Sequence, residues 1–174
     1  MAKSTRVVGY PDANFWIAPY DEAGQWPNEV LDAVNQIIAW HHNGKVELVT
    51  SFGVERDIER AKGIPAKTEK AQKGQELLES LGLRHLTYSA GYYGDPVKGR
   101  FGFARYGTAE VFQKSNLKDS QDRDALDFIP RNRVAYFITL DNELRGRRRI
   151  EIEEGLKVEK TKVVTPQEFL RSLS

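Results

Sequence analysis

The sequence predicts an α/β fold, a mainly parallel sheet with helices on both faces, and three observations carry that expectation. Strand-like and helix-like segments alternate along the whole chain, the pattern of parallel strands joined by helical crossovers. Two hydrophobic strands run straight into an aspartate, RVVGYPDANFWIA reaching Asp12 and RVAYFITLDNELR reaching Asp141. In an open α/β sheet that position is the rim where ligands bind. A length of 174 residues suits one domain with one sizeable core, and neither a repeat nor a linker divides residues 1–174.

Residues 6–10 (RVVGY) read as a buried strand, followed by a PDAN loop. Pro27 and Asn28 introduce an amphipathic helix on which Val30, Leu31, Val34, Ile37 and Ile38 recur at helical spacing. It stops at His41, His42, Asn43 and Gly44, the glycine standing where helices are commonly capped. A positive charge on the histidines would suit the negative end of the helix dipole. KVELVT (45–50) is a second strand, and Ser51 caps a helix over 52–62 that Gly63 and Pro65 end. A helix over 66–81 carries Leu77, Leu78 and Leu81, and RHLTYS (84–89) is a short strand. Residues 91–107 hold five glycines and five aromatics, so an irregular loop is expected at about 91–115. A helix over 119–129 halts before Pro130, because the residue preceding proline avoids helical geometry. VAYFIT (134–139) follows as a strand. The alternation in RRRIEIEE and LKVEKTKVV predicts a charged hairpin over 147–162. KVV (162–164) reads as the last strand, and Thr165 and Pro166 open the final helix, QEFLRSL.

Hydrophobic residues at 40% and charged residues at 29% describe a soluble globular protein. No apolar run approaches the ~20 residues that a membrane span needs. MAKSTRVV leads almost directly into a strand, which leaves no room for a signal peptide. Zero cysteines exclude disulfides and thiolate zinc sites and suit a reducing compartment, so a cytoplasmic protein is expected. A net charge of +1 gives no global attraction to nucleic acid, but RGRRR at 145–149 against EIEE at 151–154 leaves a local basic patch.

Two more carboxylates are candidates for the rim. Asp57 borders the apolar stripe Val54, Ile58 and Ala61 of its helix, where a carboxylate needs a partner. Asp122 shares a helical face with Ala125, Leu126 and Ile129, and Asp124, on the other side, is the alternative if the helix starts elsewhere. Asp12, Asp57, Asp122 and Asp141 repel one another unless a cation sits among them. Carboxylates without softer ligands suit Mg2+ or Mn2+, which retain waters and accept phosphate oxygens. Such an ion activates water and stabilises charge on a phosphodiester.

In the order and spacing of its motifs the chain resembles the PIN-domain family, metal-dependent nucleases that include the VapC-type toxins. VVGYPDANFWIA is similar to the family's first strand, ending in Asp12 with Asn14 and Trp16-Ile17 behind it. VELVTSFGVERDIERA resembles the second motif, with Ser51 at the strand end and Asp57 in the acidic slot six positions on. DRDALDFIPRNRVAYFITLDNELR resembles the third, with Asp122 on a helix and Thr139 and Asp141 at the next strand end. KVVTPQEFLRSL is similar to the family's last strand, proline and helix. The likeness covers about residues 5–60 and 119–173.

The resemblance implies a three-layer α/β/α sandwich with a central twisted sheet, and hydrolysis of RNA by a metal-activated water. It makes Asp12, Asp57, Asp122 and Asp141 the catalytic carboxylates, with Asp12, Asp122 and Asp141 as ligands of Mg2+ or Mn2+. Asn14, Ser51, Thr139 and Asp124 would support them. It further implies an RNA substrate, a toxin role with a cognate antitoxin, and a homodimer. A catalytically inactive PIN-like module that binds RNA or protein is the alternative.

Arg100 and Arg105, among the loop aromatics, are candidate RNA contacts, and so are Arg145, Arg147 and Arg148 just after Asp141. Equally, the loop aromatics can fold back onto the domain, and the arginines can pair with Glu151 to Glu154. His41 and His42 face different ways on a helix end, and His85 has no visible ligand partner. A haloacid-dehalogenase-like phosphatase wants a second Asp where Asn14 stands, and a receiver wants a lysine soon after the late strand, where none follows Asp141.

Overall fold

The computed structural model describes residues 6–86, 126, 128–129, 132–146, 148–157 and 160–174. The loop expected at 91–115, most of the helix at 119–129 and the end of the strand at 84–89 lie outside these residues. Five strands form one parallel sheet: β1 (Val7–Pro11), β2 (Val46–Thr50), β3 (Arg84–His85), β4 (Tyr136–Ile138) and β5 (Lys162–Val164). The described helices are α1 (Ala13–Ile17), α2 (Asn28–His42), α3 (Phe52–Lys62), α4 (Thr68–Ser80), α5 (Asn142–Arg145), α6 (Arg149–Gly155) and α7 (Pro166–Ser172). Together they make the three-layer α/β/α arrangement with a central parallel sheet that the alternation predicts. No helix among the described residues is long and apolar enough to cross a membrane.

The strand order is β3-β2-β1-β4-β5. From β1 the chain builds outward through β2 and β3, then returns to place β4 and β5 on the opposite side. The reversal falls between β1 and β4, and such a switch point leaves a crevice outside the carboxyl ends of the two strands. Register pairs Gly9 with both Leu48 and Tyr136, and Pro11 with Ile138. Because strand side chains alternate, Tyr10 and Asp12 project from the face opposite Gly9.

Close packing explains why the centre of β1 carries no side chain on the Gly9 face. A Cβ on Gly9 would stand 3.0 Å from Ile138 Cδ1 and 3.3 Å from both Leu48 Cδ2 and the Phe169 ring of α7. Helix α2 packs beside α7, burying Ala33, Val34 and Ile37. Helices α1, α3 and α4 pack against one another. Gly74 of α4 sits against the backbone of α1, where an added Cβ would lie 2.9 Å from the Trp16 carbonyl oxygen.

Helix ends follow the local chemistry. Gly44 adopts φ +71° just beyond α2, and Ser51 caps α3 by accepting from the Val54 N–H at 3.2 Å. Thr165 and Glu168 close a reciprocal capping box at the start of α7.

Three expectations need correction. No strand forms in the described part of 147–162 before β5; residues 149–155 are helix α6. Ile152 and Leu156, four apart, are both fully buried, whereas Ile150 is 77% exposed. A hairpin strand would have put residues 150 and 152 on one face, so burial of one helical stripe outweighs the two-residue alternation. The PDAN loop is shorter than expected, because α1 starts immediately after Asp12. His41 does not serve as a cation for the dipole. Its Nδ1 accepts from the Leu48 N–H at 3.2 Å, and burial, reinforced by His42, lowers its pKa.

Candidate functional site

Continuing the two registers, three residues beyond the Gly9–Leu48 pair and one beyond the Pro11–Ile138 pair, sets Asp12 beside Ser51 on one side and Thr139 on the other, a row across three neighbouring strand ends. The ladder continues into this row, since the Asp12 N–H donates to the Ile138 carbonyl at 3.0 Å. All three side chains are buried, Asp12 at 8% exposure and Ser51 and Thr139 at 0%.

Asp12 is fixed at both carboxylate oxygens. Oδ1 accepts from the Phe15 N–H at 3.1 Å, capping α1, and Oδ2 accepts from the Thr139 hydroxyl. The same hydroxyl oxygen accepts from the Asp141 N–H at 3.0 Å. One threonine thus joins the end of β1 to the turn after β4 and sets the direction of the chain of bonds: Asp141 N–H to Thr139, Thr139 to Asp12. Asp141 caps α5 through Oδ1, which accepts from Glu143 N at 2.7 Å and Leu144 N at 3.3 Å. Its Oδ2 accepts no hydrogen bond among the described residues.

Below the row, the Tyr10 hydroxyl and Ser51 Oγ lie 2.5 Å apart, and both residues are fully buried. Tyr10 was not among the candidates read from the sequence. Its signal was available, because two-residue alternation puts Tyr10 on the face of Asp12.

The other candidates have different surroundings. Asp57 lies on the border of the Val54–Ile58 stripe, as its spacing predicts, and accepts from the Arg60 guanidinium at 3.1 Å. Asn14 is exposed on α1 and makes no hydrogen bond to Asp12. Arg145 bonds the Asn142 side chain, and Arg148 pairs with Glu143 at 2.8 Å. Asp122, Asp124, Arg100, Arg105 and Arg147 lie outside the described residues.

Among the described residues no three acidic or histidine side chains come together as a metal cage. Mg2+ does not require one, since it is commonly held by one or two carboxylates, waters and substrate phosphate. Asp12 and Asp141 supply hard oxygen donors of that kind on either side of Thr139, so the donor chemistry fits Mg2+ or Mn2+. No family model matches this chain, and no curated protein matches it in sequence.

Proposed function

We propose that the chain is a Mg2+- or Mn2+-dependent endoribonuclease of the PIN type, hydrolysing RNA phosphodiesters. The observation that supports it is the pair Asp12 and Asp141, coupled through Thr139 at the switch point between β1 and β4. Asp12, Asp141 and Asp122 would hold the cation, and Asp57 would orient water. When bound, the ion supplies an activated water and neutralises charge developing at phosphorus.

The chain's own residues provide position. Thr139 and the Phe15 N–H hold the Asp12 carboxylate in one orientation. The α5 cap holds one oxygen of Asp141 and leaves the other for the site. A row set at strand ends moves little, which suits a reaction sensitive to placement. By the same resemblance we propose a cytoplasmic toxin role, with a cognate antitoxin and a homodimer.

The test is RNA cleavage by the purified protein with Mg2+ or Mn2+ on several single-stranded RNAs. Cleavage abolished by a chelator, and reduced more than about 100-fold in both Asp12→Asn and Asp141→Asn, is the expected result. Wild-type protein that cleaves no RNA and binds neither ion overturns it. The remaining reading is then an inactive PIN-like module binding RNA or protein, which the Asp57–Arg60 ion pair favours.

A further inference from the structure

The edge of the sheet where the strands begin, opposite the acidic rim, carries a row of cations. Arg6 precedes β1 and Lys45 precedes β2, each one residue before the Val7–Val46 pair. Arg6 Nη2 comes within 3.2 Å of where a Cβ on Gly44 would stand, so the two segments are neighbours in space. Arg133 and Lys160 lead into β4 and β5. The Ala135 N–H, two residues after Arg133, donates to the Val8 carbonyl, two residues after Arg6, at 3.0 Å. The Thr161 hydroxyl, next to Lys160, donates to the Val134 carbonyl, next to Arg133, at 2.7 Å. Four neighbouring strands thus each bring in one cation, in the spatial order Lys45, Arg6, Arg133, Lys160.

All four side chains are exposed, and none forms an ion pair among the described residues. The Lys45 ammonium lies 3.4 Å from the centre of the Trp40 ring, which holds it without neutralising it. The backbone supplies a second observation. Arg133 and Lys160 have φ of +54° and +58° and are the two non-glycine residues with positive φ among those described. Asparagine, aspartate and glycine take that conformation more readily, so local structure does not explain a cation at either place. Beyond Lys160 a cavity of about 460 Å3 is lined by Lys157, Lys160 and Lys162. Glu153 and Glu154 line it too, but they pair with Lys162 and Lys157, each at 3.7 Å.

With strands about 4.8 Å apart, the row spans about 14 Å, the extent of a chain of charges and not of one small anion. It offers charge and hydrogen-bond donors in place of the apolar centre that a protein interface has. Evenly spaced phosphates are the matching partner. We infer that this strand-entry edge binds the phosphate backbone of a nucleic acid, at a site separate from the acidic rim. Arg6 and Asp12 are six residues apart on an extended strand, or about 20 Å. The inference stands on the charge row and does not need the nuclease reading.

The experiment measures fluorescence anisotropy of a labelled single-stranded RNA of about 20 nucleotides, and of its DNA equivalent, across a salt series. EDTA is present to prevent metal-dependent cleavage. Arg133→Asn combined with Lys160→Asn removes two charges and supplies a residue suited to positive φ, so a urea midpoint no lower than that of the wild type is expected. Binding of both nucleic acids should weaken about tenfold, and the log–log salt slope should become shallower by about 1.4, about 0.7 for each lost phosphate contact. Arg133→Lys with Lys160→Arg should keep affinity and slope. Equal binding of RNA and DNA assigns the site to phosphate alone and stronger RNA binding adds the 2′-hydroxyl; both support it. Unchanged affinity and slope in the double asparagine variant, or no nucleic-acid binding by the wild type, overturns the inference. So does displacement of RNA by polyglutamate at equal charge concentration, which would assign the edge to an acidic protein segment. Binding that depends on these cations in a protein that cleaves no RNA supports the edge while overturning the nuclease reading. Metal-dependent cleavage with unaltered binding in the asparagine variant does the reverse.

Discussion

Replacing Thr139 by valine keeps the shape and branching of a fully buried side chain and removes only its hydroxyl. Asp12, 8% exposed, then loses the donor to Oδ2, and the Asp141 N–H loses its acceptor. A hydrogen bond to a charged group contributes about 1.5–3 kcal/mol and a neutral one about 1 kcal/mol, so the expected loss is about 2.5–4 kcal/mol. With a urea m-value of about 2 kcal/mol/M, the midpoint should fall by about 1.2–2 M. Thr139→Ser keeps the hydroxyl and loses one methyl group, at a cost of about 1 kcal/mol. A cycle with Asp12→Ala isolates the pair, and its coupling energy should be about 1.5–3 kcal/mol. If Thr139→Val unfolds within about 0.5 kcal/mol of the wild type, or the coupling is near zero, the hydroxyl does not organise the rim.

Ile152→Ala should destabilise by about 2–5 kcal/mol and Ile150→Ala by less than about 0.5 kcal/mol, because only Ile152 is buried. Equal losses in urea melts would restore the hairpin. Gly74→Ala should lower the melting temperature, since its Cβ meets the Trp16 carbonyl at 2.9 Å; the overpacking cost of about 1–3 kcal/mol exceeds the ~1 kcal/mol gained in helix propensity. A higher melting temperature would show that α4 shifts freely. For His41 the folded state disfavours the proton, because burial and then His42 lower its pKa from the ordinary 6.5. Its contribution is therefore complete above pH 6.5 and lost as pH falls below that value toward the lowered folded pKa. Urea stability should drop between pH 7.5 and 5.5, and by less in His41→Gln; an unchanged drop in the variant would remove His41 as the cause.

Most of the fold was legible because local signals agreed with burial. The helix over 52–62 could be read from Ser51 before it and from Gly63 and Pro65 behind, and it is α3. The strand ends at Asp12 and Asp141 were legible for the same reason: an apolar run stops where a cap begins. Alternation failed in RRRIEIEE because isoleucines two apart satisfy a strand locally, while only a neighbouring layer can select Ile152 and Leu156 as a helical stripe. Gly74 was silent, because a glycine inside a helix shows its purpose only against the backbone it touches. Tyr10 was visible as core but not as the hydroxyl beneath Ser51.

By itself the sequence determined the alternation of strands and helices, the parallel sheet that follows from it, and two acidic strand ends. It could not determine that Asp12 and Thr139, 127 residues apart, share a hydrogen bond. That bond depends on β4 settling beside β1 rather than at an edge, a choice made by the packing of the whole sheet. Local propensity is encoded within a few residues, whereas strand order is decided by which arrangement buries every apolar face at once. Tertiary structure therefore turned two separate strand ends into one acidic rim, joined through Thr139.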